Sequence, residues 1–211
     1  MHTKRSVFKM NDTKEHIILL ASKLFLQKNF KEVTMKELVN VTGLSKGAFY
    51  HYFKSKEQLF FEVLQYFFSC VNHDYESYSH ESFYKFYHDY VKGTINLSNK
   101  YISKFDGEED KGRFTINYFT LIFDALKLYP EYRKLMIQGI NREIEIWAKR
   151  IEKARLEGEI RTVMTDQELA KTFMYLSDGV AMHMMMQTPT VEEMTTPYLV
   201  LWDKLYEQIK A

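Results

Sequence analysis

Residues 34–56 read TMKELVNVTGLSKGAFYHYFKSK. Thr34 and Glu37 stand at the spacing of a capping box, in which a hydroxyl and a carboxylate each take up an amide proton at a helix start, and Leu38 and Val39 then face inward. Gly43 closes that helix, because glycine enters the left-handed conformation without a steric cost, and Ser45 offers its hydroxyl as the cap of the next. Two short capped helices around a glycine turn make a helix-turn-helix, placed at about 34–53.

On the second of these helices the spacing predicts Ala48, Phe49, Tyr52 and Phe53 facing inward, which leaves Lys46, Gly47, Tyr50 and His51 outward. A helix presented this way enters the DNA major groove with its N-terminal residues nearest the base edges, where Lys46 reaches guanine O6 or N7 or a phosphate. Gly47 permits close backbone approach. Tyr50 and His51 can donate to phosphates or touch a thymine methyl, while Thr34 and Lys56 stand where helix N-termini add amide donors. Lys36 and Lys54 add charge. Thr34, Ser45 and Ser55 serve as caps whether or not DNA is present.

Outward from this stretch the pattern stays helical. Ser55-Lys-Glu-Gln58 opens a long helix whose face is Leu59, Phe60, Val63, Leu64, Phe67 and Val71, extended to about Glu76. Upstream, Ile17, Leu20, Ala21, Leu24 and Phe25 share one face of a helix over Asp12–Lys28, preceded by a flexible arm, 1–11. Downstream, helical patterns cover 81–103, 113–128, 130–157, 166–187 and 191–210. Thr165/Glu168 and Thr190/Glu193 supply further capping boxes, Pro130 suits a first helical position, and Pro197 restarts or kinks the last helix. No strand alternation is evident, so the fold class is all-α.

Charge divides the chain. Residues 1–56 hold eleven Lys/Arg against four Asp/Glu, a balance of +7, and the remainder carries −6. A basic head on an acidic body suits a chain of which one part approaches a polyanion. No run of about 18 apolar residues and no secretory signal occurs, so a cytoplasmic protein without membrane association is expected. The single cysteine, Cys70, allows no intrachain disulfide, and no Cys-x-x-Cys pair suggests zinc. Met182-His-Met-Met-Met186 suggests no metal site either, because consecutive helical residues point in different directions. Neither a nucleophile–base pair, a phosphate loop nor a His-Glu-x-x-His motif is found, so no catalytic residue, enzymatic activity or cofactor is expected.

The stretch Gly43–Phe60, GLSKGAFYHYFKSKEQLF, resembles the signature of the TetR family of transcriptional regulators, and the similar region covers about 12–72. The resemblance implies an all-α homodimer in which the first three helices bind a double-stranded DNA operator. A fourth helix links the domains, and the last two pair across a two-fold axis. Ligand binding in the larger domain then typically releases the operator. By position, Thr34, Ser45, Lys46, Gly47, Tyr50, His51 and Lys56 match the family's DNA-contact positions, and Leu44 lies at the turn beside the groove.

The domains expected are the arm 1–11, a DNA-binding domain 12–54, a linking helix 55–76 and a ligand-binding and dimerisation domain 77–211. In that last domain Phe114, Tyr118, Phe119, Ile122, Phe123 and Leu126 make a helix apolar nearly all round, expected to be buried in the middle of the domain. Tyr132, Leu135, Met136, Ile140, Ile144, Trp147, Ala148 and Ile151 give the next helix a continuous apolar face. Phe114, Tyr118, Phe119, Ile122, Trp147 and Phe173 are the candidate ligand residues, with core packing as their plainer role. Leu176, Val180, Met184, Tyr198, Leu201, Trp202 and Leu205 are the candidate dimer residues. The function expected is a repressor released by a small apolar or aromatic effector. Alternatives are an activator, a regulator that answers to another protein, or a helical carrier or enzyme.

Overall fold

The computed structural model describes residues 12–70, 72–104, 116–187 and 190–211, and among them every regular element is a helix. The nine described α-helices are α1 (Asp12–Gln27), α2 (Met35–Thr42), α3 (Lys46–Tyr52), α4 (Lys56–Cys70), α5 (Phe83–Ile102), α6 (Ile116–Leu128), α7 (Pro130–Leu156), α8 (Asp166–Met184) and α9 (Val191–Ile209). Two 3-10 turns, Tyr75–Ser77 and Met185–Gln187, join them. The chain divides into two compact units, with the boundary between Phe67 and Phe68.

In the first unit α1 buries Ile17, Ile18, Ala21, Leu24 and Phe25, while Leu20 is only half-buried. That face packs on α2. Beyond α1, Phe25, Phe30 and Phe60 form a triangle of rings, with centroids 4.8 Å apart for Phe25–Phe60 and for Phe30–Phe60. Such edge and tilted contacts add stabilisation beyond the area they bury. Lys56 fastens the loop between α1 and α2: its Nζ donates to the carbonyls of Phe30 and Val33, both at 2.7 Å, and lies 4.2 Å above the Phe30 ring.

In the second unit the helix starts are local chemistry. Ser82 caps α5, and Thr165 and Thr190 open α8 and α9 as complete capping boxes with Glu168 and Glu193. Pro130 takes the first turn of α7, where its missing amide costs nothing. Pro197 lies inside an uninterrupted α9, where it removes one intrahelical bond without ending the helix. Helix α7 packs on α8, α8 on α9, and α5 on both α7 and α9. Their shared core is aromatic: Phe83, Phe86, Tyr87, Trp147, Phe173 and Trp202 are all buried. The Trp147 and Trp202 rings meet edge to face at 5.2 Å, and the Trp202 indole donates to the Phe173 carbonyl at 2.8 Å. Glu159 accepts the Phe83 and Tyr84 amides at 2.8 and 3.0 Å, so a carboxylate from beyond α7 supplies an acceptor to the α5 N-terminus.

Three expectations are corrected. The linking helix stops at Cys70, six residues before Glu76, because His73 and Tyr75 turn into ring contacts with Tyr78 and Tyr90 that a continuing helix would not allow. Helix α6 is not central: Leu121 and Ala125 are buried, but Phe123 is 46% exposed, so uniform apolarity marked a surface helix here. The apolar face of α7 is covered unevenly. Tyr132, Ile144, Trp147 and Ile151 are buried, while Leu135 and Ile140 are 56% and 43% exposed. With 27 residues against 19 in α8, α7 outruns the partner that covers it.

Candidate nucleic-acid interface

Helix α2 begins on Thr34, whose hydroxyl accepts the Glu37 amide at 3.2 Å while the Glu37 carboxylate accepts the Thr34 amide at 2.9 Å. Glu37 also receives the Lys28 ammonium at 2.6 Å. Lys28, followed by the Thr34 amide and hydroxyl, holds the Glu37 carboxyl down at about 2. The local pattern could not disclose Lys28, because it arrives from the end of α1 through the tertiary fold.

The helix ends at Gly43, in the left-handed region at φ 66°, with its amide on the Asn40 carbonyl at 3.3 Å. Thr42 is buried and its hydroxyl donates to the Val39 carbonyl at 2.8 Å. Ser45 then caps α3 by accepting the Ala48 amide at 3.2 Å. The turn is therefore set from both sides by short-range bonds.

Helix α3 is anchored by Phe49 and Phe53, both fully buried and one turn apart. This fixes what remains outside. Ser45, Lys46, Gly47 and His51 are exposed, Leu44 and Tyr50 are half-buried, and Lys46 Nζ lies 5.9 Å over the Tyr50 ring. The Tyr50 hydroxyl and the His51 ring nitrogens take part in no hydrogen bond among the described residues, which leaves their donors available. Ala48 was expected inward but is exposed: it lies about 100° round the helix from Phe49, and a methyl is too short to reach a neighbour from there. Lys54 turns back, its Nζ donating to the Tyr50 carbonyl, and so closes the C-terminus of α3.

Gly47 has no packing reason to be glycine. A Cβ there would meet nothing within 4 Å, yet glycine inside a helix costs about 0.5–1 kcal/mol against alanine. A residue that weakens its helix and fills no internal need is what close approach from outside requires.

The other expected contacts divide. Thr34 is exposed, but its hydroxyl is engaged on both sides with Glu37. Lys36 is exposed and uncommitted. Lys56 opens α4, and its ammonium is engaged on the Phe30 and Val33 carbonyls.

In the second unit Trp147 and Phe173 are brought together at 5.9 Å, both fully enclosed. Phe119 and Ile122 are half-buried on α6; Phe114 and the side chain of Tyr118 lie outside the described residues. Of the dimer candidates, Leu201 is exposed, and Leu176, Val180, Met184 and Leu205 are half-buried. Tyr198 and Trp202 are core residues with almost no surface to offer a second copy. Among the described residues no helix is long and apolar enough to cross a membrane, and no group of three or more His, Cys, Asp or Glu could hold a metal.

Residues 17–63 match the family model described as bacterial regulatory proteins, tetR family. The chain is 45% identical over 58 residues to the uncharacterized HTH-type transcriptional regulator YerO of Bacillus subtilis, an alignment covering 28% of this chain and 20% of that protein. It is 43% identical over 47 residues to the HTH-type transcriptional repressor NemR of Escherichia coli, covering 22% of this chain and 24% of NemR. These alignments thus span about a fifth to a quarter of the curated relatives. The crystal structure of reduced E. coli NemR superposes over 95% of this chain and 98% of its own, with a TM-score of 0.64 and 21% identity. A putative TetR/AcrR-family regulator of known structure covers 92% of this chain and 99% of its own, with a TM-score of 0.66 and 21% identity. At that identity the likeness concerns the fold.

Proposed function

From the match of residues 17–63 to the tetR family of bacterial regulatory proteins, we propose that this chain is a dimeric, sequence-specific DNA-binding regulator, released from a near-palindromic operator by a small molecule. The observation that carries this reading is the outward face of α3, where Ser45, Lys46, Gly47 and His51 stand exposed on a helix that Phe49 and Phe53 hold rigid. Lys46 would meet a base edge or a phosphate, Gly47 would bring the backbone close, and Tyr50 and His51 would donate to phosphates. Lys36 supplies charge from α2, whereas Lys56 acts through the loop it fastens.

Two copies would set their recognition helices about 34 Å apart, one DNA turn. Exposed apolar side chains on the last two helices, Tyr175, Met182 and Leu201, favour pairing there, with Leu176, Val180, Met184 and Leu205 beside them. An effector must bind the DNA-incompetent state better, and a coupling of about 1–3 kcal/mol then weakens each ligand in the presence of the other.

The test is selection from a random DNA pool by the purified protein, followed by fluorescence anisotropy on the enriched sequence. Two half-sites about 10 base pairs apart are expected. Lys46→Ala and Tyr50→Ala should each weaken binding roughly tenfold with an unchanged melting temperature. No enriched motif, or full affinity in both variants, would refute the assignment. Leu201→Glu should raise the monomer fraction in sedimentation, and a wild type already monomeric at micromolar concentration would remove the dimer.

A further inference from the structure

Glu143 stands on α7 one turn before Trp147 and accepts a hydrogen bond from the Tyr75 hydroxyl, with Tyr90 close enough to interact with its carboxyl. Rings surround it. The His73 ring stacks on Tyr90 at 4.3 Å and 11°, Tyr75 stacks on Tyr90 at 6.2 Å, and Tyr90 meets Trp147 edge to face at 5.1 Å. A second carboxylate, Asp178 on α8, repels a charge on Glu143; burial pushes its own carboxyl up as well, although the residue reaches solvent. Neither carboxylate forms an ion pair with a lysine or arginine among the described residues. Burial and the neighbouring acid both push the Glu143 carboxyl above its usual range.

One more group in this neighbourhood is unmatched. The Trp147 indole nitrogen is fully buried and has no hydrogen-bond partner, a condition that folded chains rarely leave in place. Two carboxylates without a counter-ion, aromatic faces beside them, and an orphan donor one helical turn along α7 are complementary to a single kind of molecule. It carries a positive charge, which carboxylates and ring faces both attract, and an acceptor atom about 5 Å away, one turn of helix. A metal ion is a poorer match, since hard cations take six or more oxygen ligands and two carboxylates are present.

We propose that Glu143 and Asp178, with the ring faces of Tyr75, Tyr90 and Trp147, bind an organic ammonium ion, and that such an ion is the effector. The second half of this proposal rests on the regulator reading above. The Tyr75 hydroxyl satisfies one Glu143 oxygen in the empty site, and the arriving ammonium supplies the positive charge that the two carboxyl groups lack.

The experiment titrates the full chain with benzyltrimethylammonium and with neopentylbenzene, its uncharged isostere, followed by tryptophan fluorescence and calorimetry. The cation should bind at least about tenfold more tightly than the isostere. Glu143→Gln, which keeps an acceptor for the Tyr75 hydroxyl, should abolish that preference, and Asp178→Asn should reduce it about twofold to threefold. If Glu143→Gln does not fold, Asp178→Asn, at an exposed position, reads the same preference. Equal affinity for the two probes, or a preference unchanged in the folded variants, overturns the site. Cation binding that leaves the selected DNA bound overturns the effector role alone. A protein that binds the cation and no DNA overturns the regulator reading while the site stands.

Discussion

Helix α3 exposes Ser45, Lys46 and His51; the first half of α7 exposes Leu135, Ile137 and Ile140. Both segments are uncovered by their own chain, for opposite reasons. The exposed set of α3 carries Lys46 and His51 and sits on two buried phenylalanines a turn apart, which fix which side of the helix meets solvent. The exposed set of α7 mixes Leu135, Ile137 and Ile140 with charged neighbours such as Arg133 and Lys134, because the helix outruns α8 and its apolar spacing persists beyond that partner. An outward face is readable as a site when its residues differ in kind from a core face, and unreadable when they match one.

The largest effect expected from this contrast is on stability. Phe49→Ala should destabilise the first unit by about 3–5 kcal/mol, the range for emptying a buried aromatic position. Ile137→Ala, at a position 52% exposed, should stay within about 0.5 kcal/mol. Urea denaturation measures both, and a multi-kcal/mol cost at Ile137 would mean that this face is covered in solution.

Glycines sharpen the same comparison at a smaller scale. A Cβ would meet nothing within 4 Å at Gly47 in α3 or at Gly139 in α7. Each Gly→Ala should therefore stabilise its helix by about 0.5–1 kcal/mol. Only Gly47→Ala should also weaken DNA binding, as read by anisotropy. Undiminished affinity in that variant would show that close backbone approach is not used.

The smallest effect is electrostatic and confined to the recognition unit. Glu37, held at about 2 against an ordinary 4.5, favours the folded state while ionised. Its contribution is present above pH 4.5 and fades as the pH falls toward 2, because the folded state must then take up the proton it resists. The urea midpoints of wild type and Glu37→Gln should differ at pH 7 and converge near pH 2. A gap that holds constant would remove the carboxylate's charge from the capping of α2.

Legibility followed the range of the interaction. Thr34, Glu37, Gly43 and Ser45 act over three or four residues, and their bonds stand where the sequence spacing set them. The role of the Lys56 ammonium was not legible, because the Phe30 and Val33 carbonyls that it bonds lie more than twenty residues away in the chain. Trp202 misled for the same reason, since its face of α9 is as apolar as an interface and only the Phe173 carbonyl shows which side is inside.

The amino-acid sequence by itself determined the nine described helices in nearly their observed places, the glycine turn and the likeness of residues 17–63 to the tetR family, because caps, proline, glycine and periodicity are properties of neighbouring residues. Tertiary structure alone decided which apolar face is core, where α4 ends, and that Glu143 stands among Tyr75, Tyr90 and Trp147 beside Asp178. Those partners come from four separate segments of the chain, and a buried carboxyl acquires its meaning from the groups that folding brings around it.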